Sequence, residues 1–344
     1  MQAETVISIV YALAAALFYA LNAPFSKLLL ERVPPTCMAA FLYLGAGLGV
    51  GIMYLFHWRK ESPQERLTKR DLPYTVGMIV LDIIAPILLM IGLSLGTSSN
   101  AALLGNFEIV ATTCIALLLF HEAVSRRLWA AVGLITLASA ILTFEGGGSF
   151  RFSLGSLFVL GAAACWGLEN NCTRAISEKS TYQIVTIKGL CSGGGSLLTA
   201  LILGEHLPEL RDILPAMVLG FVAYGLSIFT YIRAQKTLGA AKTSAYYAAA
   251  PFIGAFLSFL ILKEPLSLGY AAALLVMAAG TALVVLDTLS YRHSHTHSHT
   301  FTHTHGGTTH THTITHDHPH SHCTGSGRHH HRHSRAELEE LLNS

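Results

Sequence analysis

Charge is the first thing this sequence lacks. Asp, Glu, Lys and Arg make up only 12% of its 344 residues, about half the share in an ordinary soluble domain. A water-soluble globule is excluded on that ground. Catalytic signatures are missing too. There is no GxxxxGK[ST] loop, so the chain has no built-in nucleotide motor. No HExxH, no CxxC pair and no legible Ser/His/Asp set is present, so the chain reads as a non-enzyme. A formal net charge of +2 offers no basic surface for nucleic acid. The opening MQAET carries no Lys or Arg, and the apolar run behind it is too long for a signal peptide. Apolar/polar alternation is absent from the long runs, which argues against an outer-membrane barrel. Of the six cysteines, Cys37, Cys114, Cys165, Cys172 and Cys191 fall in apolar runs and read as small apolar filler. Cys165 and Cys172 are seven positions apart on one run, too far for a bridge.

What remains is apolar. Ten runs are legible, at roughly 5–29, 36–57, 73–94, 97–119, 128–144, 154–174, 182–203, 213–233, 243–262 and 268–287. Each is about 20 residues long, enough for a helix to cross a bilayer. The expected fold class is therefore an all-α integral membrane protein with ten transmembrane helices. A long stretch occurs twice. LGTSSNAALLGNFEIV, from Leu95, is matched by LGAAKTSAYYAAAPFIG, from Leu238, an offset of 143 residues; Glu122 and Glu264 lie 142 apart. Upstream, the segment ending at Lys27 matches the segment ending at Arg174, with Asn22 against Glu169. Such a period is a duplicated half-protein. The chain divides into residues 1–146, residues 147–289, and a tail at 290–344. Five helices per half invert the second half relative to the first.

Loop charge sets the orientation. With the N-terminus inside, the inner loops hold twelve cations: Arg59, Lys60, Arg66, Lys69 and Arg70, then Arg126 and Arg127, then Arg174 and Lys179, then Arg233, Lys236 and Lys242. The outer side holds five: Lys27, Arg32, Arg151, Arg211 and Lys263. Both termini are expected in the cytoplasm, with the protein multi-pass in the cytoplasmic membrane.

Ionisable residues inside the runs are the candidate site. Glu108 sits mid-run, and an ionised carboxylate there costs about 2.5–3.5 kcal/mol on the lenient insertion scale. It must pair, bind a cation or take a proton; the plainer role is a packing bond to a neighbouring helix. Asp82 lies one turn before Pro86, where a role at the kink competes with a role in binding. Glu169 heads a polar Glu-Asn-Asn cluster, and Asn22 is its counterpart in the first half; interhelical bonding is the alternative for both. Lys188, one to two turns into its run, reads as a side chain snorkelling to the interface. Tyr247, Pro251, Gly254 and Ser258 share one helical face, suited to a cavity wall or to packing.

The tail is different in kind. It holds sixteen histidines, the nineteen of the chain less His57, His121 and His206. His293, His295, His297, His299, His303, His305, His310, His312, His316, His318, His320 and His322 alternate with Ser and Thr. Neutral imidazole suits Zn, Ni, Co and Cu. Composition alone suggests a disordered, solvated tail that binds divalent metal as a buffer or a sensor.

The doubled pattern resembles the EamA-type transporters of the drug/metabolite transporter superfamily. The resemblance rests on Asn22 and Lys27 followed by Pro34-Pro35, on LSLGTSSNAA at 93–102, on Glu122 and Glu264, and on Pro251. The chain departs from that pattern at Tyr43, where the family often has Arg, and at Ile109, where a Pro usually follows the Glu. The resemblance implies two inverted five-helix repeats with a substrate path between them. The expected activity is export of small metabolites such as amino acids, with no cofactor required for transport. The expected partners are a small-molecule substrate and the lipid bilayer, and a homodimer is compatible. The alternative is a metal-handling membrane protein, exporting a divalent metal or a metallophore or sensing metal, that uses the His-rich tail.

Overall fold

The computed structural model describes residues 2–120, 125–143, 153–176, 178–238, 243, 246–305 and 308–323. Glu122 and the last four histidines lie outside them. The chain forms two units, residues 1–285 and 286–344.

Among its described residues the first unit is built of helices joined by short turns and holds no strand. Its helices are α1 (Gln2–Ala20), α2 (Asn22–Leu29), α3 (Pro35–His57), α4 (Leu72–Leu95), α5 (Ser98–Leu104), α6 (Phe107–Phe120), α7 (Arg126–Thr143), α8 (Leu154–Ala175), α9 (Thr181–Ile202), α10 (Leu210–Gly220), α11 (Ser227–Leu238), α12 (Ala250–Leu262) and α13 (Leu268–Leu289). Each of the ten apolar runs carries helix. Among the described residues, seven helices are long and apolar enough to cross a membrane. The other three runs fall short for local reasons. The fourth is split at Gly105-Asn106, α8 carries Glu169, Asn170 and Asn171, and α12 is only 13 residues long. The protein is a multi-pass membrane protein, and its many exposed Leu, Ile and Val side chains present the apolar outer surface that lipid requires.

Interruptions place polar groups in the interior. The first run breaks at Leu21, between α1 and α2, and Asn22 opens the new helix. The fourth run turns at 105–106 and the ninth at 248–249. These turns are 143 residues apart (248 less 105), the same offset as Leu95 and Leu238. The eighth run passes through a π-helical segment, Phe221–Leu226, between α10 and α11; such bulges redirect side chains inside a helix. Pro86 lies within α4 and lacks the N–H that would bond the Asp82 carbonyl. The turn at 248–249 breaks the single helical face expected for Tyr247, Pro251, Gly254 and Ser258. Pro251 stands at the N-terminal end of α12, and there its missing N–H leaves no helical bond unmade.

Helix pairing is close where glycine allows it. α3 packs along α9, α4 along α8, α1 along α11, and α10 against α3. At the α3–α9 crossing Gly47 meets Gly189: a Cβ on Gly189 would lie 2.4 Å from the Gly47 Cα. At the α10–α3 contact a Cβ on Gly220 would lie 1.9 Å from the Leu42 carbonyl oxygen. Without a hydrophobic drive between helices in lipid, this backbone proximity supplies the packing.

The second unit holds a two-stranded antiparallel ribbon, β1 (Ser290–His305) and β2 (Thr308–Cys323). Composition suggested a tail without regular structure. The ribbon follows instead from period: His alternates with Ser and β-branched Thr at every second residue, a strand pattern.

Candidate functional site

The site begins with Asp82, which is fully buried on α4. Its Oδ1 accepts a 3.0 Å hydrogen bond from the Tyr43 hydroxyl on α3. Its Oδ2 lies 2.9 Å from Nζ of Lys188 on α9. The same Nζ lies 3.0 Å from Oε1 of Glu169 on α8, and Glu169 is 2% exposed. One ammonium thus bridges two carboxylates carried by two other helices. Thr173, one turn along α8, also donates to Glu169.

This overturns the snorkelling expectation for Lys188. Only 12% of its side chain is exposed, because two buried anions lie within reach and hold it inward. Each buried charge is expensive alone, and pairing with good geometry offsets much of that cost. Lys188 and Tyr43 were not selected from the sequence as site residues. One signal was available for Lys188: two carboxylates in apolar runs need a cation at similar depth.

The other candidates join by short steps. Oε1 of Glu108, at the start of α6, accepts a 2.5 Å bond from Asn170 Nδ2, next to Glu169 on α8. Asn22 is 3% exposed; its Nδ2 donates to the Tyr224 hydroxyl at 2.9 Å, and its Oδ1 accepts from Ser26 at 2.9 Å. Tyr224 projects from the π-helical segment, and its ring lies 5.1 Å from that of Tyr43. Tyr19 stands edge-on to Tyr224 at 5.9 Å and 6.0 Å from Tyr247, which in turn meets Tyr231 at 5.1 Å. Asn22, Asp82, Glu108, Glu169 and Tyr247 therefore belong to one connected cluster.

Pro251 is outside it. The face it shares with Gly254 and Ser258 packs instead: Ser258 pairs with the Ser98 hydroxyl at 2.9 Å, and Gly254 abuts Ala20 and Ala102. Among the described residues of the helical unit, no group of three or more His, Cys, Asp or Glu is arranged to hold a metal ion. The cluster instead combines three carboxylates, one ammonium, amides and a wall of tyrosines. Those groups can bind an ammonium, a carboxylate and an apolar or aromatic side chain.

The end of the bundle where α2 leads into α3 is held by charge. Glu264 accepts from the backbone N–H groups of Ser98 and Ser99 at 2.7 and 2.9 Å. Glu205 accepts from those of Thr36 and Cys37 at 3.2 and 2.9 Å. Both carboxylates cap helix N-termini, where unpaired N–H groups and the helix dipole favour an anion. Lys27 donates to the carbonyls of Leu93 and Gly96 at 2.5 and 2.7 Å, close to the Glu264 cap. Glu264→Ala is expected to cost about 1.5–3 kcal/mol, the worth of bonds to a charged group. Thermal unfolding in detergent reads this out, and an unchanged midpoint would count against a clamp.

Comparison with known proteins follows the same outline. A family model described as the EamA-like transporter family matches residues 6–144 and again 153–286. A protein of Methanothermobacter thermautotrophicus, described as an uncharacterized transporter, is 26% identical over 293 residues, covering 78% of this chain and 83% of its own length. One solved crystal structure superposes with a TM-score of 0.60 at 18% identity, covering 82% of this chain and 97% of that one. At that identity the likeness concerns the fold.

Proposed function

This chain belongs to the EamA-like transporter family, and from that premise we propose that it is a secondary transporter exporting small metabolites such as amino acids across the cytoplasmic membrane. In this reading it spans the membrane ten times, as two inverted five-helix repeats at 1–146 and 147–289, with both termini in the cytoplasm. The family match to each half and the 143-residue offset between the turns at 105–106 and 248–249 support the repeats. Loop charge supports the orientation.

One observation carries the substrate reading: Lys188 is held in the interior between Asp82 and Glu169. A substrate carboxylate can replace Asp82 on Lys188. The released Asp82 then takes a proton or keeps only its Tyr43 bond. A substrate ammonium is received by Glu169 or Glu108, and the tyrosines around Asn22 accept the side chain. Broken helices near the cluster are the usual setting of such a site, near the midplane between repeats. Alternating access requires the Glu264 and Glu205 caps to part when the site opens toward their end.

Glu108 tests the assignment of the cluster. Glu108→Gln keeps a bond to Asn170 but removes charge and protonation. The expected outcome is loss of transport at matched expression, with unfolding unchanged to within about 1 kcal/mol. Full transport by this variant would leave Glu108 a packing group. Substrate class is tested by a growth screen of overproducing cells against amino acids, toxic analogues and divalent metals. Tolerance gained only to metals would sink the metabolite reading.

A further inference from the structure

The charges of the central cluster do not cancel. Asp82, Glu108 and Glu169 supply three carboxylates, and among the described residues their ion pairs all run to one cation, Lys188. With every group ionised the excess is negative. Glu108 is the carboxylate left over: its bond is to the neutral amide of Asn170, while Asp82 and Glu169 share the ammonium. Inside a bilayer such an excess is costly until a cation or a proton meets it.

Position also sets Glu108 apart. Asp82 and Glu169 are sealed in, and so is Tyr43. Glu108, Asn170, Tyr19 and Tyr247 are only half-buried, so theirs is the less enclosed side of the cluster. Tyr19 and Tyr247 pack ring to ring at 6.0 Å, within electrostatic reach of the Glu108 carboxylate. A carboxylate beside aromatic rings suits an organic cation, because the carboxylate supplies the opposite charge and the ring faces attract it. A guanidinium suits it best: its planar fork pairs with a carboxylate and stacks on an aromatic ring.

Resting on the amino-acid reading above, we propose that the cluster selects amino acids with a cationic side chain, a guanidinium above all. The substrate carboxylate replaces Asp82 on Lys188, the α-ammonium meets Glu169, and the side-chain cation meets Glu108 beside Tyr19 and Tyr247. Once the released Asp82 has taken a proton, Lys188 and the two glutamates carry one net negative charge. A substrate with one net positive charge cancels it, and a neutral amino acid leaves it unmet.

Arginine and citrulline test this, because citrulline has nearly the same shape and replaces the guanidinium by a neutral urea. Binding of each to the full-length protein in detergent is measured by titration calorimetry at about pH 7. Arginine is expected to bind at least 10-fold more tightly than citrulline, since a site built round a charged partner discriminates against the analogue that lacks the charge. In Glu108→Gln that preference should disappear with citrulline bound as before, which also shows the variant folded. Glu108→Asp, which keeps the charge, should keep the preference. Citrulline bound as tightly as arginine by the unaltered protein, or a preference that survives Glu108→Gln, would overturn the proposal. Two further ligands separate it from the reading it rests on. Leucine bound more tightly than arginine would overturn the cationic preference and leave the amino-acid reading standing. Agmatine, which is arginine without its carboxylate, should bind at least 10-fold more weakly than arginine. Agmatine bound as tightly would sink the amino-acid reading, with the arginine-to-citrulline ratio still deciding the preference for charge.

Discussion

Lys188→Met is expected to abolish transport and to destabilise the protein by about 3–5 kcal/mol, the usual cost of leaving a buried charge without its partner. Two anions lose their cation at once. Asp82 keeps only the bond from Tyr43, and Glu169 keeps the bond from Thr173. A structural role alone would account for the lost stability, so the discriminating variant neutralises all three groups: Lys188→Met, Asp82→Asn and Glu169→Gln together. With no unpaired charge left, that protein should recover most of its stability, since an apolar or neutral replacement of a buried ion cluster is often nearly neutral. It should still fail to transport, because neither a substrate carboxylate nor an ammonium finds its partner. Denaturant unfolding in detergent and uptake into proteoliposomes separate the two effects. Recovery of both stability and transport by the triple variant would make the cluster a packing device.

How legible was this in the sequence? The helices were, because a bilayer demands about 20 apolar residues and the runs supply them in two similar series. Asp82, Glu108 and Glu169 were legible as costly groups inside those runs. Their common partner was not. Lys188 lies near the start of its run, and from one helix alone its depth looks interfacial. Only the positions of α4 and α8 beside α9 show what it faces. Tyr247 was named on a candidate face, but Tyr19, Tyr43 and Tyr224 escaped for a related reason: they converge from three separate segments, and Tyr224 does so from a π-helical turn that periodicity does not signal. Tyr247 and Pro251 were read on one continuous face because an apolar run does not announce the turn at 248–249, which makes Pro251 a helix start. The tail was read from composition when its period of two already held the strand pattern.

Gly189→Ala is expected to reduce transport at least 10-fold, although it adds only a methyl group at a position that touches no substrate. The added carbon would lie 2.4 Å from the Gly47 Cα and 2.8 Å from the Tyr43 carbonyl oxygen, against about 3.5–4.0 Å for a comfortable carbon contact. Backbone cannot rotate out of the way as a side chain can, so α3 and α9 must separate. Lys188 is the neighbour of Gly189, and Tyr43 lies one turn before Gly47. The separation therefore moves both partners of Asp82 apart from it and from each other. Overpacking of this kind costs about 1–3 kcal/mol, and Gly189→Leu should leave little folded protein. Gly194, on the same helix, gives the control: a Cβ there meets nothing within 4 Å. Gly194→Ala should keep full transport and gain up to about 1 kcal/mol from helix propensity. Uptake and thermal unfolding of the two alanine variants, measured side by side, decide the matter. Equal behaviour would mean that the close crossing of α3 and α9 does not set the geometry of the Asp82–Lys188 pair.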